Sequence, residues 1–214
     1  MAEMRTEEEQ IEAIKKWWKE NGTQTIVAVV LVVGGWFGYQ GYESQQQATG
    51  EAASAIYQEM LEINNSEKEE DLGRRAQILD QLKNEFGSTP YAQFAALFKA
   101  KDAVEAKDFD AAIAELTYVK DTASDESLVH LATVRLARVL NDQNQSEEAL
   151  ALLNVENVGA FEFNYQDVKG DVLMKLGRKD EARAAYEKAK EAGNSIGADQ
   201  SLLELKLGDL AVAE

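Results

Sequence analysis

The sequence contains no cysteine, a single proline (Pro90) and a single histidine (His130). Zinc sites need several His or Cys ligands, so that chemistry has no material here. One histidine with no nucleophile paired to it does not make a catalytic constellation, and ordinary helix packing accounts for His130. No G-x-x-x-x-G-K-[ST] run is present, so no phosphate-cradling loop is expected. Catalysis is therefore not expected, nor is a metal or cofactor.

Basic residues are scarce too: 22 Lys and Arg stand against 39 Asp and Glu, giving a net charge of −17. Phosphate backbones demand a basic face, so nucleic acid is excluded as a partner. Lying on an anionic lipid surface is disfavoured for the same reason. The acidic run Asp121, Asp125 and Glu126 precedes a helical segment, where helix capping explains it.

Charge is absent altogether from residues 21–42, in a chain that is 29% charged. A spanning helix needs about 20 mostly apolar residues at 1.5 Å each to cross roughly 30 Å of hydrocarbon. Trp17 and Trp18 precede the stretch, and Trp36, Tyr39 and Tyr42 close it, as interfacial aromatics do. A cleavable signal would have a shorter leader and a small-residue site soon after its apolar part; the first A-x-A, Ala53 to Ala55, comes too late. A buried core helix would carry polar residues on some side. Residues 21–42 are thus read as an uncleaved span.

Its flanks set the orientation. Arg5, Lys15, Lys16 and Lys19 lie before it, and no Lys or Arg follows until Lys68. The positive-inside rule puts residues 1–20 in the cytoplasm and everything after residue 42 outside it, in the periplasm of a two-membrane bacterium. The leader itself reads as an amphipathic helix carrying Ile11, Ile14, Trp17 and Trp18, with Asn21-Gly22 as its C-terminal cap. Within the span, Gly34 and Gly38 form a G-x-x-x-G that would let another membrane helix pack closely.

After residue 43 apolar residues recur at helical spacing throughout. A first pair of helices, about 44–63 and 72–86, fills residues 43–89. Gly87-Ser88-Thr89-Pro90 then ends one helix and starts the next, with Thr89 as N-cap and Pro90 at the first position. From there to residue 192 the pattern repeats three times: a first helix with small residues, a polar turn, and a second helix opened by alanine. The opening alanines are Ala112, Ala149 and Ala182, spaced by 37 and 33 residues. The tetratricopeptide period is about 34 residues. Gly170, Gly177, Ala182, Tyr186 and Ala189 fit that motif best; Lys99 stands where a leucine is usual. Residues 193–214, rich in leucine, are expected to dock as a capping helix.

The fold class expected is therefore all-α: one transmembrane helix followed by a solenoid resembling tetratricopeptide repeats. Such arrays bind partners on the concave face of their first helices. In the repeat frame this face carries Phe94, Leu97 and Lys101, then Leu131, Val134 and Arg138, then Asp167 and Asp171. Packing of some of these against the first helix pair or the last helix is the alternative.

The whole arrangement resembles a known family. The leader pattern Gln10-Ile11-Glu12-Ala13-Ile14-Lys15 running into Glu20-Asn21-Gly22, and Ser124-Asp125-Glu126 leading to Arg135-Leu136-Ala137-Arg138-Val139, are similar to the YfgM family of ancillary SecYEG translocon subunits. That resemblance implies an inner-membrane protein at the translocon, partnered with the periplasmic chaperone PpiD and helping newly exported polypeptides, its array acting either as a scaffold that holds one folded partner or as a chaperone that holds client segments. A regulatory role, with residues 7–20 holding a cytoplasmic stress-response regulator, is the alternative function.

Overall fold

The lone proline marks the start of a helix. In the computed structural model, which describes residues 7–66 and 68–212, Pro90 sits in the first turn of a helix whose N-cap, Thr89, is extended, and Thr89 Oγ1 donates to Phe86 O at 2.8 Å. The described residues form nine α-helices, no strands, and one 3-10 turn at Gly159–Phe161. They are α1 (Glu7–Ile63), α2 (Glu69–Glu85), α3 (Pro90–Glu105), α4 (Phe109–Thr122), α5 (Glu126–Asp142), α6 (Ser146–Leu153), α7 (Glu162–Lys175), α8 (Lys179–Ile196) and α9 (Ser201–Val212). Arg5 and the rest of the first six residues lie outside the described residues.

Two compact units divide at Ala52/Ala53. The first contains the apolar stretch, inside one unbroken helix. Asn21-Gly22 does not cap anything: α1 continues through it to Ile63. The reason is local. Asn21 Nδ2 donates to Trp17 O at 3.1 Å, Thr25 Oγ1 donates to Asn21 O at 3.0 Å, and a Cβ on Gly22 would stand 3.3 Å from the Trp18 ring. Polar side chains satisfied within the helix have no need to end it. A helix entering hydrocarbon gains by keeping every backbone group paired. The aliphatic run is open to its surroundings, with Leu31 70% and Val32 72% exposed. That exposure removes the buried-core reading and leaves a helix long and apolar enough to cross a membrane.

The second unit is a helical array built from three equivalent turns. Lys107, Asn144 and Gly177 all have positive φ, at 60°, 64° and 75°. Around each, the same bonds recur: Asp108 N to Ala103 O, Gln145 N to Leu140 O, and Arg178 N to Leu173 O, at 2.8 to 2.9 Å. This is the Schellman geometry that satisfies the last carbonyls of a helix. The turns are spaced by 37 and 33 residues, the spacings of the opening alanines. Those alanines, Ala112, Ala149 and Ala182, are fully buried, because a larger side chain there would hold the two helices of a repeat apart. The repeats are α3–α4, α5–α6 and α7–α8.

Both ends of the array are covered. On the N-terminal side Ala53 and Met60 of α1 and Ile78, Leu79 and Leu82 of α2 share a core with Ala95 of α3. On the C-terminal side Leu203 and Leu210 of α9 join the main core, with Leu207 packed against it. The last helix starts later than the expected residue 193: α8 runs through Ile196, Gly197 ends it in the left-handed region, and Asp199 accepts from Ser201 N at 3.0 Å to open α9 at Ser201. Asp125 caps α5 by accepting from Ser127 N at 2.8 Å. Asp121 instead lies in the last turn of α4, beside Lys120.

Candidate interaction groove

The first helices of repeats one and two, α3 and α5, leave a cavity of about 670 Å³ between them. Its α3 wall is Phe94, Leu97, Phe98, Lys101, Val104 and Glu105, residues separated by three or four and so on one helix face. Its α5 wall is Leu128, Leu131, Arg135, Arg138, Val139 and Asp142, again at helical spacing. Ala100 and Leu116 are buried at its floor, and Tyr57 of α1 closes the side nearest the first helix pair.

Tyr57 belongs to an aromatic cluster. Its ring is 5.3 Å from Tyr91 and 5.7 Å from Phe94. Burial and the neighbouring Tyr91 hold the Tyr57 phenol above its ordinary value, so it stays neutral. Phe98 is fixed from behind: Arg75 lies over its ring at 5.6 Å and forks onto Asp102 at 2.6 and 3.0 Å. A bidentate pair of this kind sets the position of α3 on α2.

Lys99, out of place in the repeat motif, faces away from the groove. It reaches Asp80 at 2.6 Å and Glu115 at 3.3 Å, and Glu115 also takes Lys83 at 2.6 Å. Partial burial alone would depress the Lys99 ammonium, but the hydrogen bond to Asp80 and the charge of Glu115 hold it above its ordinary value. An ionic tie between α2, α3 and α4 thus replaces the usual apolar contact.

Of the eight residues that the sequence assigns to the concave face, five line the cavity: Phe94, Leu97, Lys101, Leu131 and Arg138. Val134 does not. It is 4% exposed and part of the core, and Arg135, one position on, takes the rim instead. The apolar period of α5 continues on more than one side, so spacing alone put the wrong neighbour on the open face. Asp167 and Asp171 are engaged from α9: Lys206 donates to Asp167 at 2.7 Å and to Asp171 at 2.9 Å. Arg138 stands 3.7 Å from Asp167 on the other side. Repeat three is therefore filled by the chain's own last helix, and the open groove is confined to repeats one and two. Tyr57, Phe98 and Arg135 were missed by sequence reasoning; the first is contributed from outside the repeats, and the others lie one residue from positions it selected.

His130 is held by packing. Its ring is 5.0 Å from Phe161, and Nδ1 is 3.0 Å from Tyr165 Oη. Among the described residues no three potential metal-ligating side chains come together.

Comparison with known proteins places this architecture. The family model described as a tetratricopeptide repeat-like domain matches residues 15–212, beginning inside α1 and ending at the last residue of α9. A protein of Haemophilus influenzae named an ancillary SecYEG translocon subunit is 34% identical over 204 residues, 95% of this chain and 97% of its own. Proteins of the same name from Aggregatibacter actinomycetemcomitans and Escherichia coli are 33% and 28% identical, over 95% and 96% of this chain and 97% of each relative. No solved structure matches. The chain belongs to the YfgM family of ancillary SecYEG translocon subunits, built on a tetratricopeptide repeat-like domain.

Proposed function

We propose that this protein is a non-enzymatic, single-pass inner-membrane subunit of the SecYEG translocon whose periplasmic array holds segments of newly exported polypeptide. Residues 21–42 span the membrane with the leader in the cytoplasm, as the Lys and Arg asymmetry requires. Gly34 and Gly38 offer the face on which another membrane helix packs, since beyond their own stretch of helix backbone nothing lies within 4 Å of a would-be Cβ on either. PpiD is the expected chaperone partner beside it.

The observation that carries the proposal is the open apolar cavity between α3 and α5. A side chain such as leucine entering it from a polypeptide loses its water at a gain of about 1.5–3 kcal/mol, so two or three suffice for transient retention. Retention must be weak enough to release a chain that is still moving through the membrane. A rigid groove with few anchors meets that need better than an enclosing chamber.

The test is isolation of the full-length protein from its own membrane with and without residues 7–20. Translocon subunits copurify with both forms. If the deletion alone abolishes that association while the array stays folded, the cytoplasmic helix is the functional half and the regulatory reading replaces this one.

A further inference from the structure

The charge around the groove runs against the charge of the chain. Five charged side chains line it, Lys101, Arg135 and Arg138 against Glu105 and Asp142, in a protein whose acidic residues outnumber its basic ones by 39 to 22. Lys101 pairs loosely with Glu105 in its own helix at 3.5 Å, and Arg138 with Asp167 at 3.7 Å. Arg135 is exposed on the rim and makes no ion pair with any described residue. A guanidinium left without an anion beside an apolar wall is complementary to a carboxylate that arrives with the occupant.

The groove is also bounded. Tyr57 stands at one side, and the Arg138–Asp167–Lys206 row stands at the other. Two helices at 8–10 Å each are crossed by about five or six extended residues at roughly 3.3 Å per residue. A concavity of that width admits the side chains of a short segment; the flat face of a folded domain cannot enter it.

On the basis that the groove is the binding surface, we infer that it takes a short unfolded polypeptide segment that presents two or three apolar side chains to Phe94, Leu97 and Leu131 and a carboxylate to Arg135. The pairing sets a preference among exported segments. Those in which an acidic residue flanks an apolar cluster are held longest, and those flanked by lysine are passed over.

The test uses the full-length chain in nanodiscs and three fluorescent hexapeptides that share the same apolar residues and differ in one flanking residue: Asp, Asn or Lys. Fluorescence anisotropy is expected to show the Asp peptide binding about tenfold tighter than the Asn peptide, with the margin shrinking as salt rises. Arg135→Glu removes the margin and turns the preference towards the Lys peptide; Arg135→Gln removes it without the reversal. Arg135 is exposed, so helix content stays unchanged in both. Equal binding of the Asp and Asn peptides to the wild-type chain and to Arg135→Glu overturns the inference while leaving the groove as a binding surface. Failure of all three peptides to bind overturns both, as does self-association of the chain that Leu131→Asp abolishes, which would put a second copy in the groove.

Discussion

Replacing Gly170 by alanine lowers the melting temperature of the array by about 4–8 °C, read by circular dichroism of the full-length chain in detergent. Glycine to alanine inside a helix ordinarily stabilises by about 1 kcal/mol. Here the sign inverts, because a Cβ on Gly170 would stand 2.2 Å from the Tyr186 ring. The ring cannot step aside. Its hydroxyl donates to Asp171 at 2.8 Å, and Lys206 lies over its face at 5.5 Å. Burial, followed by the hydrogen bond and charge of Asp171, pushes the Tyr186 phenol far above its ordinary value, so it remains a donor at every workable pH. Overpacking at so short a distance falls at the upper end of the usual range, about 3 kcal/mol, which leaves about 2 kcal/mol after the propensity gain, and each kcal/mol moves the midpoint of a domain this size by about 2–4 °C. Tyr186→Leu in the same background recovers part of the loss, since the two substitutions share one contact. An unchanged midpoint for Gly170→Ala alone would mean that α7 and α8 are further apart than described.

Lys206→Glu is expected to release α9 from the array. The lysine is set between Asp167 and Asp171, at 2.7 Å from the nearer oxygen of each, and its replacement adds a third carboxylate to the two it neutralised. Breaking a buried pair costs about 3–5 kcal/mol. The Lys206 side chain is 20% exposed and that of Asp171 34%, so solvent screening brings the expected loss to roughly 2–4 kcal/mol. Leu203 and Leu210 then lose their cover. Lys206→Met, which keeps the apolar stem, loses about half as much. Hydrogen exchange separates local release from global unfolding. The amides of α9 lose protection first and those of α3–α6 keep theirs, because each repeat of such an array rests only on its neighbours. Uniform loss across all helices would show that α9 is not a separable cap.

The sequence made the repeat turns readable because their residue types follow from backbone geometry. Gly177 is favoured at positive φ, and Asn144 tolerates it; the small opening alanines follow from close helix packing. Helix faces were less legible. Leu131 and Val134 have equal claims by spacing, and only the packing of the neighbouring helices against α5 decides that Leu131 lines the groove and Val134 is closed off. Asp167 and Asp171 looked like groove residues because their partner, Lys206, lies more than thirty positions downstream, beyond any local pattern. Asn21-Gly22 misled for the opposite reason. Its residue types signal a cap in water, while side-chain bonds to Trp17 and from Thr25 keep it helical. Tyr57 escaped notice because it sits outside the repeats, on the same long helix that carries the anchor.

The proposed meeting point of this protein with exported polypeptide is the groove of repeats one and two. The most direct measurement is photocrosslinking in the native membrane from a photoreactive residue placed at Leu131, compared with one placed at Leu205, which is 66% exposed on the outer side of α9. Adducts at position 131 spread over many exported proteins, depend on ongoing export, and outnumber those at position 205. If position 131 gives no adducts, or position 205 gives the same set, the groove is not the binding surface.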